Sequence, residues 1–364
     1  MCVDFIDIAK EFRIPCYIYF TAAASLLNLM FYLQELDDKG IDIASEYGSP
    51  EAELDLPGFT NRVPAKVLPM LIFEKDSGAS AFFNNVARRF RESNGILVNT
   101  FMELESSVVQ SLHDQENVPN VYPVGPILSL DEGQSGGPHE EEKNSILKWL
   151  DDQPTSSVVY LCFGSMGSFD EDQVKEIAHG LESSGHHFLW SLRRPVSENK
   201  HILPSENETF EDALPQGFLD RTSHRGKIIG WAPQVQILGH RAIGGFVSHC
   251  GWNSILESLW FGVPIAAWPV HSEQQLNAFQ LVMEFGVAVE IKMDYRRNLM
   301  KKDANVVVTA DEVEIGVKKL MNMEDTMTGK IHEMRHKSRK ALEINGSSQS
   351  WLTQFVGEVM DRNA

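Results

Sequence analysis

Six short apolar runs constrain the C-terminal half of this 364-residue chain more than any other feature. They are VVYLCF (158–163), HFLWSL (187–192), KIIGW (227–231), GGFVSHC (244–250), PIAAWP (264–269) and VAVEIK (287–292). Each has strand length and is apolar nearly throughout, as expected of a strand covered on both faces. Helix-like stretches separate them, and strands alternating with helices build a parallel α/β sheet. Six strands with their helices make a complete Rossmann-type unit.

The N-terminal half repeats the alternation with fewer strands: CYIYF (16–20), GILVNTF (95–101) and VYPVGP (121–126). Helices are expected over IDIAKEF, around Ala22–Leu36, over Ser77–Ser93 and over FMELESSVVQSL. The third of these should turn Phe82, Phe83, Val86 and Phe90 inward and Arg88, Arg89 and Arg91 outward. Residues 37–72, broken by Pro50, Pro57, Pro64 and Pro69, read as irregular. Leu128–Glu142, rich in Gly, Ser and acid, reads as a linker. The expected organisation is a first domain at 1–127, a linker at 128–143, a second domain at 144–345 and a terminal helix at 346–364. Two helix starts carry capping boxes, Ser272 with Gln275 and Thr309 with Glu312.

The formal charge of −19 argues against a nucleic-acid surface or an anionic membrane as partner. Four widely spaced cysteines without zinc spacing point to reduced thiols in a cytoplasmic protein. Ile14–Leu33 is broken by Pro15, Thr21, Ser25 and Asn28, and it has neither a basic start nor a cleavage pattern, so it reads as strand and helix rather than signal or membrane span. The Asp170-Glu171-Asp172 triplet opens a helix and reads as a cap rather than a metal site; no metal is expected.

Chemistry concentrates between Trp231 and Gln274. His249, Gly251, Trp252, Asn253 and Ser254 fall at a strand-to-helix junction, where helix N–H groups favour an anion. Trp231, Gln234, Glu257, Glu273 and Gln274 lie at or near strand ends, an assortment suited to a nucleotide with sugar hydroxyls. For each the plainer reading is structural: a core tryptophan, a satisfied histidine, a solvated helix carboxylate.

From Trp231 to Gln274 the chain resembles, without a gap, the plant secondary-product box of the UDP-dependent glycosyltransferases. FGSMGS (163–168), FLWSLRRP (188–195), LPQGF (214–218) and ILVNTFMELE (96–105) are also family-like. The resemblance implies the GT-B fold: two Rossmann-like domains facing across a cleft, the donor held by the second, a terminal helix crossing back to the first, and the N-terminal domain here incomplete. It implies a monomeric, UDP-glucose-dependent inverting O-glucosyltransferase of small plant phenolics such as flavonoids, with no cofactor. By the same resemblance Trp231 stacks on uracil beside Ala232 and Gln234, while His249, Gly251, Trp252, Asn253, Ser254 and Ser165 hold the diphosphate. Glu257 grips the ribose, and Glu273 and Gln274 read the sugar, a glutamine there going with glucose.

The family reaction also needs a histidine base and an aspartate partner. No histidine precedes His113, and neither Asp4 nor Asp7 falls on the matching position, so that pair is expected upstream of Met1. Two readings stay open: the enzyme itself, and a non-catalytic UDP-sugar-binding protein.

Overall fold

A computed structural model describes residues 3–49, 51–130, 139–164, 167–193, 210–295 and 306–362. The chain divides into two compact units: 1–128 with 271–284 and 332–364, and 129–270 with 285–331. The second domain expected at 144–345 is interrupted, since 271–284 and 332–345 group with the first unit.

The first unit holds β1 (Tyr17–Phe20), the two-residue strands β2 (Glu53–Leu54) and β3 (Val63–Pro64), β4 (Gly95–Val98) and β5 (Val121–Pro123). β1, β4 and β5 form a parallel sheet in the order β1-β4-β5. Helix Ala24–Asp38 supplies much of its core, with Leu27, Leu29, Met30, Phe31 and Leu33 all buried. Glu105, itself buried, stands at the start of that helix: its carboxylate accepts from the backbone N–H groups of Ala24 and Ser25 at 2.9 Å each. This satisfies two orphan donors and complements the helix dipole. The helix Ser347–Arg362 packs on β5, where Phe355 meets Tyr17 and Tyr122 edge to face at 4.9 and 5.3 Å.

In helix Ala79–Arg91 the expected faces hold only in part: Phe83, Val86 and Phe90 are buried, but Phe82 is 55% exposed. Adjacent residues on a helix point about 100° apart, so Phe82 and Phe83 cannot both enter one narrow core face. Arg88 faces outward and pairs with Asp37 and Asp38. Arg89 and Arg91 are largely covered: Arg89 pairs with Asp7 and Glu92, and Arg91 lies 4.5 Å over the Phe31 ring and bonds Glu35.

The second unit carries β6 (Val158–Cys162), β7 (His187–Ser191), β8 (Gly226–Ile229), β9 (Ile243–Ser248), β10 (Ile265–Ala267) and β11 (Ala288–Glu290). All six run parallel in the order β11-β10-β9-β6-β7-β8. Counted from its own first strand this is 3-2-1-4-5-6, the dinucleotide-fold order, with its reversal between β6 and β9. Every residue of β6 is buried, as a strand covered on both faces requires. The acidic run Glu140–Glu142, read as linker, forms instead the first turn of helix Glu140–Asp151, where carboxylates oppose the positive helix end. Residues 131–138 of the expected linker lie outside the described residues. The Thr309 capping box forms, whereas the Ser272 box does not: Ser272 sits at φ 61°, in the left-handed region, and Glu273 takes the cap position. No helix among the described residues is long and apolar enough to cross a membrane.

Candidate functional site

In an open parallel sheet, ligands settle beyond the carboxyl ends of the strands where the order reverses. Here that point lies past Cys162 of β6 and Ser248 of β9, which are register partners. Two loops leave these strands, and both converge on His249. A β-carbon added at Gly164, whose φ is +78°, would stand 2.6 Å from His249 Nε2; one added at Gly251 would stand 2.4 Å away. The ring is therefore seated between two backbones that only glycine permits to approach so closely. His249 is 9% exposed.

The turn that follows is tight. Cys250, fully buried, takes a left-handed φ of 60° and donates its N–H to Ser248 Oγ at 3.1 Å. Burial pushes its thiol up to about 12, so it stays protonated and acts as packing rather than as a nucleophile. Gly251 then caps helix Trp252–Phe261 without a side-chain bond. The first-turn N–H groups of that helix, with its positive dipole end, lie next to the buried imidazole. Trp252 and Ser254 are buried, and Asn253 is exposed.

Beside this helix a polar network forms. The carboxamide of Gln234, first residue of helix Gln234–Leu238, donates to Ser254 Oγ at 2.8 Å and to Glu257 Oε2 at 2.6 Å. Glu257 sits one helical turn beyond Asn253, half-buried. Burial raises its pKa, and the bond from Gln234 opposes that rise. Among the described residues, no other hydrogen bond to Glu257 is seen, so its carboxylate can accept from hydroxyls of a ligand. Trp231 follows β8 and is half-buried, as is Ala232. His139 stacks on the Trp231 indole, with centroids 4.7 Å apart and planes 13° from parallel.

The second unit carries Trp231, Ala232, Gln234, His249, Gly251, Trp252, Asn253, Ser254 and Glu257, and joins Gln234 to Ser254 and Glu257 directly. Ser165 lies outside the described residues. Glu273 and Gln274 belong to the first unit. There Gln274 is 4% exposed and turned onto its own loop, its Oε1 accepting from the His271 N–H at 2.9 Å. Two participants escaped sequence reasoning, His139 on Trp231 and Tyr160, whose hydroxyl lies 3.5 Å from Gln234 Oε1. Neither carries a local signal, because each meets its partner only through the fold.

Other titratable groups have structural work. Asp170 caps helix Glu171–Ser184 by accepting from the Gln173 N–H at 3.0 Å, and Glu171 pairs with Lys175. Among the described residues no three His, Cys, Asp or Glu side chains gather as a metal site would require. Among the described residues one histidine–aspartate pair is seen, His240 Nε2 with Asp151 at 3.1 Å. Its other nitrogen takes the Ala242 N–H at 3.2 Å, and it precedes β9, at the opposite end of that strand from His249. It is not a free base.

Residues 67–320 match the family described as UDP-glucoronosyl and UDP-glucosyl transferase. UDP-glycosyltransferase 71A15 of Malus domestica is 54% identical over 355 residues, which are 97% of this chain and 73% of that protein. UDP-glucose flavonoid 3-O-glucosyltransferase 6 of Fragaria ananassa is 52% identical over 361 residues, 98% of this chain and 74% of that one. A solved Medicago truncatula glycosyltransferase complexed with UDP-glucose superposes with a TM-score of 0.86 at 44% identity, covering 98% of this chain and 73% of that one.

Proposed function

Since the chain belongs to the UDP-glycosyltransferase family, we propose that it carries glucose from UDP-glucose to a hydroxyl of a small plant phenolic, a flavonoid being the first candidate. The acceptor oxygen bonds to the anomeric carbon as the bond to the β-phosphate oxygen breaks, with inversion. The bonding pair leaves with UDP, and the acceptor's proton goes to a general base to which no residue of this chain is assigned.

One observation carries the donor side of this reading: the carboxamide of Gln234 ties Ser254 and Glu257 together beside the start of helix Trp252–Phe261. A half-buried carboxylate held by a carboxamide is suited to the paired hydroxyls of a ribose. The helix end and His249 face a diphosphate, on which charge builds as the sugar leaves; donors fixed there stabilise the transition state more than the ground state. Trp231 and Ala232 take the uracil. Glu273 and Gln274 keep the sugar-hydroxyl role that the sequence likeness gives them. The donor binds without a divalent ion, and we place the protein in the cytoplasm as a monomer; that Cys16, Cys162 and Cys250 form no disulfide supports the compartment.

Titration calorimetry with UDP and UDP-glucose, with and without EDTA, tests the proposal. Gln274→Ala should weaken UDP-glucose by about two- to tenfold, the size of one hydrogen bond, and leave UDP unchanged. Equal weakening of both ligands, or UDP binding abolished by EDTA, would contradict it.

A further inference from the structure

His139 and Trp231 lie far apart in sequence, yet their rings stack at 4.7 Å with planes only 13° from parallel. That separation leaves no room for a third ring between them: an intercalated base would need about twice the spacing of one stack. The imidazole is positioned rather than loose. It belongs to the residue that precedes helix Glu140–Asp151, and its Nδ1 lies 3.2 Å from Glu142 Oε2. His139 makes no side-chain cap to the helix, so the ring is not needed to start it. Its side chain remains about half exposed, so it can swing away without uncovering a core. The three carboxylates Glu140, Glu141 and Glu142 beside it would not welcome a nucleoside diphosphate. The ring, rather than any anion-binding group, is what this turn offers to the indole.

We propose that His139 is a built-in occupant of the Trp231 stacking face, a self-stacking gate that a nucleobase must displace before the donor binds. The proposal rests on the assignment of Trp231 to the uracil. While His139 covers the indole, only the uncovered fraction of molecules is competent, and apparent affinity falls by that fraction. The gate acts on the base alone, so uridine, UDP and UDP-glucose should feel it equally. Discrimination among sugars should not change.

The test is calorimetric titration of the full chain with UDP and with uridine, in the wild type, His139→Ala, His139→Phe, Trp231→Ala and the double variant His139→Ala/Trp231→Ala. His139→Ala should tighten both ligands by about two- to tenfold, the range of one aromatic contact. His139→Phe, which restores a stacking ring, should bind no better than the wild type. In the Trp231→Ala background, removal of His139 should have no effect. If Trp231→Ala weakens UDP but His139→Ala leaves it unchanged or weaker, the gate is wrong and the uracil assignment stands. If Trp231→Ala leaves UDP affinity intact, the uracil assignment itself fails and the gate with it. Circular dichroism of each variant checks that helix Glu140–Asp151 persists.

Discussion

The two units use the same α/β alternation and differ in how completely their sheets are covered. In the six-stranded sheet β6 is buried along its whole length between β9 and β7. In the three-stranded sheet β1 lies at the edge and leaves Tyr19 47% exposed, near a stretch in which Phe5, Phe12 and Ile14 are each more than half exposed. A groove of about 580 Å³ runs along β1, lined mainly by apolar residues such as Val3, Phe5, Ile18 and Leu26. The lesson is that strand count decides which side chains carry stability. In the larger sheet an aromatic residue is core; in the smaller one the same residue type can be surface. Trp231, Gln234, His249 and Glu257, the residues proposed for the donor, belong to the well-covered unit, where His249 is seated between two backbones.

The largest effect should come from cutting the covered unit. Trp268 is fully buried, packs edge to face on Phe163 at 5.2 Å and donates to Tyr295 Oη at 3.1 Å. Trp268→Ala should cost about 3–5 kcal/mol in urea unfolding, whereas Tyr19→Ala on β1 should stay within about 1 kcal/mol. Similar losses for the two would erase the contrast. A middle effect is expected at Phe355, whose contacts with Tyr17 and Tyr122 tie the last helix to the small sheet. Phe355→Ala should cost about 1–3 kcal/mol and speed amide exchange in β1 and β5 while β6 keeps its protection. Equal acceleration in β6 would show that the two sheets open as one.

The smallest effect concerns pH. Burial raises the pKa of Glu257, so its carboxylate takes up a proton at a higher pH than an ordinary glutamate. Protonation removes an acceptor, so affinity for a ribose should fall as pH is lowered through that raised value. Uridine is the better probe, since phosphate groups titrate near pH 6 on their own. The expected drop is about two- to tenfold, and Glu257→Gln should bind weakly at every pH with a flat profile. A wild-type profile equally flat would remove Glu257 from the ribose.

Much of this was legible in the chain because parallel strands buried on both faces leave continuous apolar runs, and all six of the second unit were found that way. The box between Trp231 and Gln274 was legible because glycines and polar residues punctuate those runs at strand ends. What escaped was long-range or conformational. Ser272 carries the residue type of a cap, but a left-handed φ of 61° takes it out of that role. Glu105 looks like a surface carboxylate in MELE, yet the fold buries it against the start of another helix. His139 meets Trp231 only once helix Glu140–Asp151 is docked. Residues 271–284, continuous in sequence with the box, pack with the other unit: Gln280 bonds Glu105 at 3.1 Å and Ser25 at 3.0 Å.

The central claim is that the end of helix Trp252–Phe261, with Gln234 and Glu257, holds a uridine diphosphate. Titration of UDP into the wild type and into Glu257→Ala, with thermal melts of both apo proteins, tests it most directly. The expected result is an affinity loss of about tenfold or more, the size of a hydrogen bond to a charged group, with the melting temperatures nearly equal. Unchanged UDP affinity in a folded Glu257→Ala protein would contradict it.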